Sequence, residues 1–82
     1  MASSTQTATD DVLTLVRVRE LAASGEARRV RLAAGLSLYD IAGAIGSTAS
    51  SVQRWESGNR RPYGEPALRW CRLLAALEAQ QR

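Results

Sequence analysis

The sequence predicts an all-α fold, a compact domain of five helices. Apolar residues recur at three- and four-residue spacing, most clearly in Ala67, Trp70, Cys71, Leu74 and Leu77, the period of a helix buried along one side. Small and polar breaks interrupt that pattern at short intervals (Ser24-Gly25, Gly35, Gly46-Ser47-Thr48 and Gly58), which are the residues that end one helix and cap the next. The chain has 82 residues, 45% hydrophobic and 5% aromatic, which suits one small domain rich in alanine and leucine. A core of this size buries a modest share of its surface, so pairing with another chain can add stability.

Residues 1–9 are small and polar, with no apolar anchor, and read as a disordered tail; residues 10–82 form the domain. Asp10 or Asp11 can cap a first helix running to about Ala23. Its valines also suit a strand, but no partner strand is visible elsewhere, and helix is the better reading. Ser24-Gly25 is a break and N-cap, with Glu26 in the following turn to suit the dipole. The second helix spans Glu26 to Ala34, and Gly35 closes it in a left-handed conformation. Ser37-Leu38-Tyr39-Asp40 fits a capping box for a third helix through Ile45. Thr48 caps a fourth over Ala49 to Glu56, closed by Gly58. Asn59 to Gly64 is a loop, Pro66 opens the last helix, and residues 78–82 fray.

Charge is unevenly placed. All eleven basic residues are arginine and the net charge is +3. Residues 1–23 lean acidic, so the basic excess lies in the part that holds the short helices. A basic stripe is the footprint of phosphate contact, although a solvated surface carries charge too. The preference for arginine also reads as codon bias in a GC-rich genome, which accounts for most of the excess.

The same inventory excludes other chemistry. There is one cysteine, Cys71, and no histidine, so neither an internal disulfide nor a Cys/His zinc site is available. Cys71 falls within an apolar helical pattern and reads as a small core residue. No paired-carboxylate or phosphate-loop motif is present, which argues against an enzyme and against a bound cofactor. No long apolar run marks a signal peptide or membrane span, and the expected compartment is the cytoplasm.

Residues 37–56 read as a helix-turn-helix, two short helices joined by a tight turn. On the second of them Val52 and Trp55 face the core. Ala49 with Gln53, and Ser50 with Arg54, form two stripes on the side away from it. The N-terminal end, Thr48, Ala49 and Ser50, would enter a DNA major groove first. Arg54 suits a bidentate bond to guanine, Gln53 suits adenine or a phosphate, and Ala49 suits a thymine methyl. The N-terminus of the preceding helix, at Ser37 and Leu38, offers free backbone N–H groups to phosphate. Ser47 lies in the turn, and Asn59, Arg60 and Arg61 lie just beyond the recognition helix, where they suit the DNA backbone.

The ordered set Arg31, Gly35-Leu36-Ser37, Ile41-Ala42, Ile45-Gly46, Val52, Arg54-Trp55-Glu56-Ser57-Gly58 and Pro62 resembles the Cro/C1-type helix-turn-helix family of phage repressors and xenobiotic-response-element regulators. The resemblance covers about Glu26 to Leu77, roughly two thirds of the chain. It implies a lambda-repressor-like fold, here with an extra N-terminal helix, and a DNA-binding transcriptional regulator. It also implies an ion pair between Arg31 and Glu56, and a homodimer on a two-fold operator. Leu38 stands where the family often has glutamine, so only backbone contact is expected there. Ala49 and Ser50 are small where the family often has long polar residues, which shifts base reading onto Gln53 and Arg54. With so little chain after the last helix, the expectation is a compact Cro-like repressor with no small-molecule ligand. The competing reading is a protein-interaction module on the same fold, such as an antitoxin or anti-repressor, with the acidic-leaning N-terminal segment as its partner-binding piece.

Overall fold

The computed structural model describes residues 4–82, with side chains from residue 7 onward. Five helices follow in order: α1 Ser4–Ala23, α2 Glu26–Ala33, α3 Leu38–Ile45, α4 Ala49–Ser57 and α5 Gly64–Gln80. No strand occurs among the described residues.

The first helix begins earlier than the Asp10 or Asp11 start expected of it. Residues 4–9, read as a disordered tail, belong to α1, and residues 1–3 lie outside the described part. Adding a residue to an existing helix needs no new nucleus, and this run of Ser, Thr, Gln and Ala contains no breaker. Asp10 is therefore interior, its carbonyl accepting from Thr14 Oγ1 at 2.9 Å.

Each junction is made by a few local hydrogen bonds. Ser24 Oγ accepts from the Glu26 amide at 3.3 Å, while Gly25 turns the chain at φ 85°. At the other end of α2 the Leu36 amide donates to the Arg31 carbonyl and the Gly35 amide to that of Leu32, a Schellman closure about Gly35. The third helix has both halves of its capping box. Ser37 Oγ accepts from the Asp40 amide at 3.0 Å, and Asp40 Oδ2 accepts from the Ser37 amide at 2.8 Å. Gly46 then turns left-handed at φ 75°, and Arg69 of α5 donates to the Ile45 carbonyl beside it. A cation at a helix C-terminus also complements the dipole there. Thr48 caps α4 by accepting from the Ser51 amide at 3.1 Å. In α5, Pro66 is the third helical residue and Gly64 the first, so proline still falls in the turn whose amides lack intrahelical partners.

Every helix contributes to one core. Val18 and Leu21 come from α1, Val30 from α2, Ile41 and Ile45 from α3, Val52 and Trp55 from α4, and Trp70 and Leu74 from α5. The Trp55 and Trp70 rings lie 5.4 Å apart, and Tyr63 meets Trp55 edge-on at 6.3 Å, a separation at which aromatic rings attract. Arg19 Nε donates to the Pro62 carbonyl at 2.9 Å, fastening α1 to the loop before α5.

The end of the chain does not fray as expected. The fifth helix continues to Gln80, and Gln81 Nε2 donates to the Val30 carbonyl at 2.9 Å. Cys71 is half-buried at the edge of the core rather than within it. Burial pushes its thiol up from the ordinary cysteine range.

Candidate nucleic-acid interface

The third and fourth helices pack on each other and meet through Gly46-Ser47-Thr48. Gly46 makes the turn tight. Its amide and that of Ser47 both donate to the Ala42 carbonyl at 3.0 Å, so α3 ends and Thr48 begins capping α4 within two residues. A side chain at Gly46 would meet Arg69 Nη1 at 3.1 Å and would have to adopt a positive φ, a conformation that costs an L-residue roughly 1–2 kcal/mol.

Burial orients the fourth helix. Val52 and Trp55 are 0% and 2% exposed, so the opposite side faces solvent. That side carries Thr48, Ser50, Gln53 and Arg54, all exposed, with Ala49 half-buried between them. The N-terminus of α3 presents exposed Ser37 and half-buried Leu38, and Ser47 in the turn is half-buried; the Ser37 amide, expected to be free for a phosphate, is instead taken by Asp40 Oδ2 in the capping box.

Two clefts divide the remaining candidates. A cleft of about 240 Å³ brings Leu38 and Gln53 together with Arg28, Arg31, Glu56 and Ser57. Arg28 is exposed there and has no ion-pair partner among the described residues, whereas its neighbour Arg29 is paired with Glu26. The sequence held a cue to Arg28 only in a run of three arginines within four positions; the resemblance singled out Arg31, and nothing separated Arg28 from Arg29. The exposed Arg60 and Arg61 are not brought into this cleft. They line a separate groove of about 490 Å³ with Val16, Arg19, Trp55 and Pro62, on the flank toward α1. The backbone of Asn59 and Arg60 folds back on α4, both amides donating to the Arg54 carbonyl.

Beneath the exposed surface lies one enclosed ion pair. Arg31 Nε donates to Glu56 Oε2 at 2.7 Å and Nη2 to Oε1 at 2.9 Å, a two-pronged contact. Its Nη1 donates to the Leu36 carbonyl at 3.0 Å. The two side chains are 9% and 5% exposed. The Glu56 hydrogen bonds hold the guanidinium above its ordinary value, against the opposing effect of burial. The pair ties the last turn of α2 to the last turn of α4, and the Leu36 bond joins the loop entering α3 to the same point. One guanidinium thus fixes the relative placement of three segments.

Residues 22–82 match the family described as helix-turn-helix domain, and the chain belongs to that family. It is an all-helical, DNA-binding class of module that inserts one helix in the groove of double-stranded DNA. No curated protein and no solved structure matches the chain. Among the described residues no helix is long and apolar enough to cross a membrane, and no cluster of acidic, cysteine or histidine side chains could hold a metal ion.

Proposed function

We propose that this protein is a sequence-specific transcriptional regulator of the Cro/C1 type, a small repressor that sets α4 in the major groove of its operator. The observation that carries this reading is the two-sidedness of α4. Its apolar side is fully spent on the core, and its outer side offers small and hydrogen-bonding residues at the end that enters a groove first. Thr48, Ala49, Ser50, Gln53 and Arg54 meet base edges. Ser37, Leu38, Ser47, Asn59, Arg60 and Arg61 meet phosphates, Leu38 through its backbone amide and Ser37 and Ser47 through their hydroxyls, because the Ser37 amide is donated to Asp40 and the Ser47 amide to Ala42. Arg28 joins them from the cleft it shares with Leu38 and Gln53. Two copies bind a two-fold operator, with half-sites about 34–36 Å apart.

Selection of duplexes from a random library tests the reading. Wild type enriches one motif, and Arg54→Ala flattens the preference at one base pair, at a cost of about 1–3 kcal/mol. Equal binding to all duplexes would sink it. The competing reading, a module for a protein partner, draws support from the exposed apolar residues of α1. Weak DNA binding at every salt concentration would favour that alternative.

A further inference from the structure

Val12, Leu13 and Val16 are 58%, 62% and 47% exposed, while Val18, Leu21 and Ala22 of the same helix are buried. The exposed three lie on one side of α1. They belong to the segment ahead of the residues that match the helix-turn-helix family. We propose that this stripe is where a second copy of the chain docks, α1 against α1, antiparallel, about a two-fold axis near Leu13 and Thr14.

Three features fit that arrangement, and all three put the axis at about the same level. The run Val12-Leu13-Thr14-Leu15-Val16 reads identically in both directions, so an antiparallel neighbour sets Val16 opposite Val12. Ala8, Thr9, Val12 and Leu13 bound a shallow apolar hollow of about 300 Å³. A four-residue hollow of this kind receives one side chain from a facing helix, and Val16 of the second copy arrives at its level. Asp10 and Arg17 are both exposed, and neither has an ion-pair partner in its own chain among the described residues. They are seven positions apart and so share one flank of the stripe. Antiparallel pairing brings Arg17 of each copy beside Asp10 of the other. Parallel pairing would carry this flank to opposite sides of the contact in the two copies and leave both charges without a partner. The contact is isologous and closed, so it stops at two copies. It deepens the operator reading, on which its use in the cell rests, by naming the surface that joins the two copies; the pairing itself is measured without DNA.

Sedimentation equilibrium of the full chain at low ionic strength, with circular dichroism to follow helicity, tests the proposal. Wild type gives a monomer–dimer equilibrium. Leu13→Lys weakens it at least ~10-fold with helicity unchanged. Asp10→Arg and Arg17→Asp each weaken pairing, and the double charge swap restores it to within about threefold of wild type. Residues seven apart on one helix do not touch, so that recovery can arise only between copies. A chain that stays monomeric at millimolar concentration, a dimer indifferent to Leu13→Lys, or a double variant no better than its singles would each overturn the proposal. Pairing sensitive to α1 without any duplex preference leaves the interface standing and removes the operator reading. Sequence-selective DNA binding by a dimer indifferent to α1 does the reverse.

Discussion

Glu56 is the side chain whose loss should be felt furthest. Its carboxylate takes two of the three hydrogen bonds that Arg31 donates, in a site where both partners are almost enclosed. Removing the acid leaves a guanidinium that can neither lose its proton nor reach water, and breaking a buried pair costs about 3–5 kcal/mol. That is a large share of the stability of a domain this size. Glu56→Ala is therefore expected to lower the melting temperature by more than 10 °C, at about 4–8 °C per kcal/mol, with DNA binding lost through unfolding. Replacing both partners together, Arg31→Met with Glu56→Leu, should recover most of the loss, because a matched apolar pair carries no desolvation cost. Thermal melts of the three variants decide it: a normal melting temperature with binding abolished would show that Glu56 acts at the interface and not in the fold. The pairing was legible only through family resemblance, since twenty-five positions separate the two residues and helical spacing is silent at that range. The third bond, to the Leu36 carbonyl, had no signal in the sequence at all.

Among elements, α3 shows how far local rules reach. Its start, its capping box and its stop at Gly46 were all readable, because each depends on side chains within three or four positions of one another. The box also makes a pH-dependent contribution. The hydrogen bonds from Ser37, first its backbone amide and then its hydroxyl, hold the Asp40 carboxyl below the ordinary aspartate range. A carboxyl lowered in the folded state stabilises it above the unfolded value, about 3.9, and that contribution disappears as pH falls through the lower folded value. Asp40→Asn should therefore melt below wild type at pH 7, with the gap closing as pH drops below about 4. A gap independent of pH would mean that the charge of Asp40 contributes nothing to the cap. Ser37→Ala removes the other half and should cost about 1 kcal/mol at pH 7. The elements misread from sequence are those fixed by distant partners. The polar start of α1 is carried by a helix whose later turns are packed on three others, and the last turn of α5 is tied to Val30 by Gln81. Along α1 the helical spacing of Leu13 and Val16 is only partial, and helix is the better reading for want of a partner strand, which says nothing of which side faces solvent.

For the whole molecule, the distribution of positive charge sets how binding responds to salt. Each phosphate met by an arginine releases counterions, so the logarithm of the binding constant falls linearly with the logarithm of salt concentration, with a slope of about −0.9 per phosphate neutralised. The two clefts separate the candidates in space. Arg28 stands on the α2 side, in the cleft with Leu38 and Gln53, and Arg60 and Arg61 stand on the α1 side, in the groove with Pro62. If the DNA backbone passes on both flanks of α4, alanine at any of the three should reduce the slope by about 0.9 per site and weaken all duplexes alike. Arg54→Ala should change the ranking of sequences and leave the slope nearly as it was. Titrations of wild type and the four variants on one selected and one scrambled duplex, at several salt concentrations, separate these roles. Should Arg28→Ala leave both slope and affinity untouched, the backbone does not reach the cleft, and the footprint narrows to α4, its turn and the loop that follows. Should Arg60→Ala and Arg61→Ala be silent instead, the groove against α1 is free of DNA even in the complex and remains open to a protein ligand. Net charge alone could not have distinguished these outcomes, because it counts the arginines of both flanks without saying which helix each one accompanies.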